Sequence, residues 1–223
     1  MANADPRPRY RLIVFDWDGT LADSTSIIAR AIQRACADLG EPVPDDTAAR
    51  YVIGLGLADA LAHVAPRLAR HRHPELSERY RHHYLARDRE IALFNGAREL
   101  LVELKAQGRM LAVATGKSRA GLDRVLQNCA LHDYFHATRC ADEGEPKPHP
   151  GMLLHLMKRL DVTPRETLMI GDTTHDLELA RAGGVDAIGV AYGAHDTTLL
   201  ASRGALAVVH SIGELRDWLA ANG

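Results

Sequence analysis

Cysteine is scarce. Cys36, Cys129 and Cys140 are the only three in 223 residues, and their scatter gives no disulfide framework. They read as buried or indifferent thiols of a reducing compartment. Long hydrophobic runs are missing too. No stretch approaches the roughly 18 uninterrupted apolar residues of a membrane-crossing helix, and the best candidate, Tyr51 to Ala65, is broken by Asp59 and His63. No charge of one sign dominates: 27 Lys and Arg against 29 Asp and Glu leave a formal charge of −2. That balance excludes the strongly basic face of a dedicated nucleic-acid binder. The first residues, Met1 to Arg11, are polar and contain Pro6 and Pro8, without the apolar core of a secretory leader. The expectation is a cytoplasmic protein that binds neither membrane nor nucleic acid. No internal repeat or low-complexity tract appears. What remains is an ordinary globular composition, 46% hydrophobic and 25% charged. Its length suits one large domain, or one domain carrying an insertion, with a full core.

Short apolar runs alternate with amphipathic stretches. Residues 12–15, 111–114, 168–170, 187–190 and 206–209 are nearly continuous apolar segments, as in strands buried on both faces of a parallel sheet. Between them Ala97, Leu100, Leu101 and Leu104 follow a helical stripe, as do Leu122, Val125, Leu126 and Cys129, and Leu153, Leu156, Met157 and Leu160. The alternation predicts an α/β fold, a doubly wound parallel-sheet (Rossmann-like) core. One interval departs from it. From Ser24 to about Ala92 the patterns are helical only: a stripe of Ile27, Ala31, Ile32, Ala35 and Leu39 stopped at Gly40, then helices near 46–53, 57–70 and 74–89. Such a length between the first two strands far exceeds an ordinary connection. It predicts an inserted all-helical cap domain at 23–92, with the core built from 1–22 and 93–223.

Ligands of open α/β sheets bind at the carboxyl ends of the strands, so the residues after each apolar run test for function. Asp16-Trp17-Asp18-Gly19-Thr20 follows the first run, Thr115-Gly116-Lys117-Ser118 the second and Gly171-Asp172-Thr173-Thr174-His175-Asp176 the third. Lys147, in Glu145-Pro146-Lys147-Pro148, precedes the helix that leads into the third. Any one of these could be a cap or a turn; their convergence on one sheet edge points to a site. Clustered carboxylates without His or Cys ligands call for a hard cation, Mg²⁺ above others, which shares its shell with phosphate oxygens. Thr115, the Gly116 N–H and the Lys147 ammonium could bind the remaining phosphate oxygens. A tight turn at Gly19 could bring Asp16 and Asp18 to one pocket, one attacking while the other handles a proton.

These four motifs, in this order and spacing, resemble the haloacid dehalogenase superfamily over nearly the whole chain, from about Leu12 to Trp218. The helical insertion resembles its phosphoglycolate-phosphatase-like and phosphoglucomutase-like branches, and Ile53-Gly54-Leu55-Gly56-Leu57 looks like the cap loop of the former. The resemblance implies a phosphatase. Asp16 would be nucleophile and Mg²⁺ ligand. Asp18 would protonate the leaving oxygen, activate water against the aspartyl-phosphate, and bind the metal through its backbone carbonyl. Thr115 and Gly116 would hold phosphate, and Lys147 would bridge Asp16 and the phosphoryl group. Asp172 would ligate the metal, with Thr20 and Asp176 supporting that shell. Asp18 argues against a dehalogenase, whose leaving halide needs no proton. The substrate expected is a small phosphorylated metabolite, phosphoglycolate first. A phosphomutase and a non-catalytic binding module are the alternatives, and monomer or homodimer stays undecided.

Other patterns fail. Thr115-Gly116-Lys117-Ser118 lacks the P-loop's earlier glycine, since Leu111 stands there, and Gly54-Leu55-Gly56 has Asp59 where a dinucleotide fingerprint needs its third glycine. Between Pro66 and Arg89, seven arginines face three acids, with His63, His71, His73, His82 and His83 nearby. This reads as a solvated helical face, with anion steering as the alternative. Adjacent histidines diverge on a helix and make a poor metal site. His175 reads as a loop histidine touching solvent, and His149 as a turn and helix-entry residue.

Overall fold

The computed structural model describes residues 9–223. Most of the polar segment from which the absence of a leader was read, residues 1–8, lies outside the described residues. Among the described residues, six parallel strands form one sheet: β1 (Leu12–Phe15), β2 (Met110–Thr115), β3 (Ala137–Cys140), β4 (Thr167–Gly171), β5 (Asp186–Val190) and β6 (Ala207–Val209), in the order β3-β2-β1-β4-β5-β6. The order reverses direction at β1, so the crevice above β1, β2 and β4 is where such sheets take ligands.

Successive residues of a strand face opposite sides, and β1 shows it. Ile13 and Phe15 join a core with Leu111, Val113, Leu168 and Ile170, covered by α5 (Ala97–Ala106), α6 (Arg119–Asn128) and α10 (Ile212–Asn222). Leu12 and Val14 join the opposite core with Ala112, Ala114 and Met169, under α7 (Gly151–Leu160) and α8 (Thr174–Ala182). A short α9 (Thr197–Ala201) adds Leu200 to this side.

Between β1 and β2 the chain builds α1 (Thr25–Asp38), α2 (Asp46–Tyr51), α3 (Leu57–Val64) and α4 (His73–Leu85). Their buried residues, among them Ile28, Ile32, Ala49, Leu61, Leu76 and Tyr84, form a third core of their own. The two chain passages into this helical unit lie side by side, Ala22 bridged to Leu93, with Asp23 N–H donating to Ala92 O at 2.9 Å and Phe94 N–H to Leu21 O at 3.0 Å.

Three readings of the sequence need correction. The edge strand β3 was not anticipated, because Ala-Thr-Arg-Cys carries no apolar run; it pairs with β2 alone and needs burial only at its two ends. The helix expected over 57–70 stops at Val64, two residues before Pro66, whose ring and missing N–H do not continue a helix. The last cap helix ends at Leu85 instead of 89, and Asp88–Glu90 forms a separate tight turn held by the Arg87–Glu90 pair at 2.7 Å.

Candidate active site

Burial concentrates acids where a folded protein ordinarily avoids them. Asp16, Asp172 and Asp176 are each 0% exposed, at the carboxyl ends of β1 and β4 and in the first turn of α8. One carboxylate oxygen from each lies within 4.8 Å of the others. Lys147, 2% exposed, projects between two of them, its Nζ 2.9 Å from Asp16 Oδ1 and 2.6 Å from Asp176 Oδ1. Burial disfavours the lysine's charge, but the two carboxylates override it and hold Lys147 above the ordinary lysine range.

The three acids are not equivalent. Asp176 spends its second oxygen on the N-terminus of α8, accepting from the Thr173 N–H at 3.1 Å and hydroxyl at 2.7 Å. Asp172 accepts from the Thr20 hydroxyl at 2.8 Å and the Ala194 N–H at 2.7 Å. A Cβ on Gly19 or Gly193 would run into the Asp172 side chain, so both backbones press against it. Asp16 differs: its contact to Lys147 is an ion pair, and neither of its oxygens has a hydrogen-bond partner. Burial, with the Asp176 and Asp18 charges, pushes Asp16 up to about 7 against the pull of Lys147. Burial and the charges of Asp16 and Asp176 raise Asp172 as well. An orphaned buried carboxylate beside a second acid with free lone pairs is a donor set that fits a hard divalent cation.

That weakened acidity has a measurable sign. A carboxyl group whose folded pKa lies above its ordinary value binds protons more tightly when folded, so its contribution to stability is complete below the ordinary 3.8 and drains away as pH rises to about 7. The EDTA-treated protein is therefore expected to lose melting temperature between about pH 4 and pH 8 through this site. Mg²⁺ should raise Tm, and more at pH 8 than at pH 5, because cation and protons compete for the same oxygens. A Mg²⁺ shift that is absent, or larger at pH 5, contradicts the assignment.

Asp18, two residues from Asp16, faces elsewhere. The turn at Gly19, φ +77°, leaves its carboxylate on the cap side, accepting from Ser24 Oγ at 2.7 Å and paired with Lys117 Nζ at 3.0 Å. Lys117 in turn donates to the Tyr84 hydroxyl of α4 at 2.9 Å. Thr115, fully buried at the end of β2, accepts from the Lys117 N–H at 3.2 Å and keeps its hydroxyl proton to donate. Gly116 lies beneath the cap loop, where a Cβ would strike the carbonyls of Gly54 and Leu55. The structure thus brings Asp16, Lys147, Asp172, Asp176 and Thr20 into direct contact, with Asp18, Thr115 and Gly116 on the same rim.

His175 is not the solvent-facing loop residue expected. It is 6% exposed in the first turn of α8, and its Nε2 donates to the Tyr51 carbonyl at 2.8 Å. His195, which the sequence reading passed over, donates to the same carbonyl at 3.0 Å and accepts from the Thr174 N–H at 3.0 Å through Nδ1. Its ring stacks on Tyr51 with centroids 5.3 Å apart. The two histidines thus fasten α2 of the cap to the sheet edge, and burial lowers the pKa of both. His149 does serve as a turn residue, accepting from the Gly151 N–H at 3.1 Å. Of the two arginines on α4, Arg79 and Arg81, the latter borders the cavity between cap and sheet.

Known hydrolases and phosphatases resemble this chain. The family model described as haloacid dehalogenase-like hydrolase matches residues 13–190. A Dickeya dadantii protein described as "Probable phosphatase IndB" is 39% identical over 92% of this chain and 91% of its own length. A phosphoglycolate phosphatase of Chromobacterium violaceum is 34% identical over 93% and 95%. Among solved structures, a hydrolase from Pseudomonas syringae superimposes with a TM-score of 0.87 at 25% identity, covering 96% of this chain and 99% of that one.

Proposed function

The chain belongs to the haloacid dehalogenase-like hydrolases, and from that premise we propose that it is a Mg²⁺-dependent phosphomonoester hydrolase of the cytoplasm. The observation that carries this reading is Asp16: a buried carboxylate, free of hydrogen bonds, at the mouth of the central strand. An Asp16 oxygen attacks the phosphorus of the bound ester as the P–O bond to the alcohol breaks, giving an aspartyl-phosphate. Asp18 supplies the proton that the departing oxygen needs. Water then attacks the same phosphorus, Asp18 takes its proton, and Asp16 is released with inorganic phosphate. Thr115 and the Gly116 N–H hold phosphoryl oxygens, and Lys147 offsets charge on Asp16 and on the transferred group. Mg²⁺ would be held by Asp16, Asp172 and the Asp18 carbonyl, with Thr20 and Asp176 orienting those ligands, and would neutralise phosphoryl charge. Residues 23–92 act as a cap that closes over the substrate and excludes bulk water. Because relatives include phosphoglycolate phosphatases, phosphoglycolate is the reference substrate against which others are compared.

The test is turnover of p-nitrophenyl phosphate with Mg²⁺ and after EDTA. Phosphate release is expected with the metal and a loss of at least about 100-fold without it. Metal-independent release, or none in either condition, contradicts the proposal. A sugar phosphate returned as its isomer instead of free phosphate would favour a mutase.

A further inference from the structure

The side of the site that would receive the alcohol is far roomier than a two-carbon acid needs. The acidic rim opens into a cavity of about 610 Å³, within the roughly 300–1,000 Å³ of clefts that bury drug-sized ligands. This is not the gap of a lifted cap. The cap is seated on the core through the Tyr51 carbonyl, the Lys117–Tyr84 hydrogen bond and the close approach of Gly54 and Leu55 to Gly116.

The lining is mainly apolar, with Asp59, Ser118 and Asp142 as polar exceptions besides the cations and the acidic rim. Ile28, Ile32, Ile53 and Leu55 line the cavity from the cap, beside Tyr80 and Tyr84, whose rings stack at 5.8 Å and 19°. The cations that border it differ in how they are held. Lys117 is committed to Asp18 at 3.0 Å and Tyr84 at 2.9 Å. Arg124 pairs with Asp88 at 3.1 Å while its Nε lacks a hydrogen-bond partner, and Arg81 is exposed at the rim. A short acid would leave most of the isoleucine wall uncovered and gain little from its burial. A ring laid on the Tyr80–Tyr84 face would gain both burial and aromatic contact.

We infer that the preferred substrate is the phosphomonoester of an alcohol with an extended apolar, ring-bearing body, in place of phosphoglycolate. The inference rests on the phosphomonoester-hydrolase reading and specifies the substrate class of that same site.

The experiment compares kcat/KM for 2-(2-naphthyl)ethyl phosphate and phosphoglycolate, both of which leave as alkyl oxygens, in the Mg²⁺-loaded wild type and in Ala120→Trp. Ala120 is an exposed residue of α6 that borders the cavity, so a folded variant is expected, checked by its melting curve. The naphthyl substrate should be preferred by at least about tenfold in the wild type, since even one methylene in an apolar pocket can be worth that much. The indole of Ala120→Trp should occupy the space and reduce the preference at least about fivefold. Phosphoglycolate used equally well or better, or a preference unmoved by the filled cavity, overturns the inference and leaves the phosphatase reading standing. Turnover of neither ester overturns the inference and, if p-nitrophenyl phosphate is also left intact with Mg²⁺, the phosphatase reading with it.

Discussion

Asp16→Asn is expected to abolish phosphate release from p-nitrophenyl phosphate, by about four orders of magnitude or more, while the protein stays folded. The amide is nearly isosteric but is a far weaker nucleophile, and loss of an attacking side chain ordinarily removes most of an enzyme's rate. The stability effect should run the other way. Asp16 is fully buried near Asp172 and Asp176 with no hydrogen bond to its oxygens, so in EDTA at pH 8 removing its charge relieves repulsion and desolvation together. Lys147 keeps Asp176 as its partner. The melting temperature of the metal-free variant should equal or exceed that of the wild type, and its response to Mg²⁺ should be largely lost. Activity within tenfold of wild type would assign the attack to another group.

Lys147→Met should behave oppositely. The lysine side chain is 0% exposed and is the cation set between Asp16 and Asp176. Methionine fills similar space but leaves buried carboxylates without a counter-charge, and breaking a buried pair in this way costs about 3–5 kcal/mol. Urea denaturation in EDTA should show that loss, with Mg²⁺ restoring part of it, and kcat should fall at least about 1,000-fold. A variant as stable as wild type in EDTA would mean that Lys147 does not hold the acidic centre together.

The sheet was legible because parallel strands buried on both faces must be apolar almost throughout, as Leu12–Phe15 and Thr167–Gly171 are. The edge strand Ala137–Cys140 escaped the same test, since Thr138 and Arg139 are only partly covered. The acids at the strand ends were legible through their convergence: each alone could be a cap or a turn, but three strand ends and a lysine meet at one sheet edge. That test was applied to three strands and omitted at β5, where it would have found Gly193, Ala194 and His195 against Asp172 and Thr174. Lys117 lay inside a quoted motif, yet its pairing with Asp18 and Tyr84 depends on a helix more than thirty residues away. Likewise, nothing in the spacing of Tyr51, His175 and His195 announces that they share one carbonyl. Such contacts between cap and core arise only when the two cores dock.

The central claim is a covalent bond between phosphorus and Asp16. Wild-type protein quenched with acid during Mg²⁺-dependent turnover, then treated with borohydride and digested, reports it directly by peptide mass spectrometry. An acyl phosphate at that position is reduced to homoserine, so the peptide containing residue 16 should carry homoserine, and only after exposure to substrate. Unmodified aspartate at position 16 in a turning-over sample, or the reduced residue at Asp18, Asp172 or Asp176, would contradict the account.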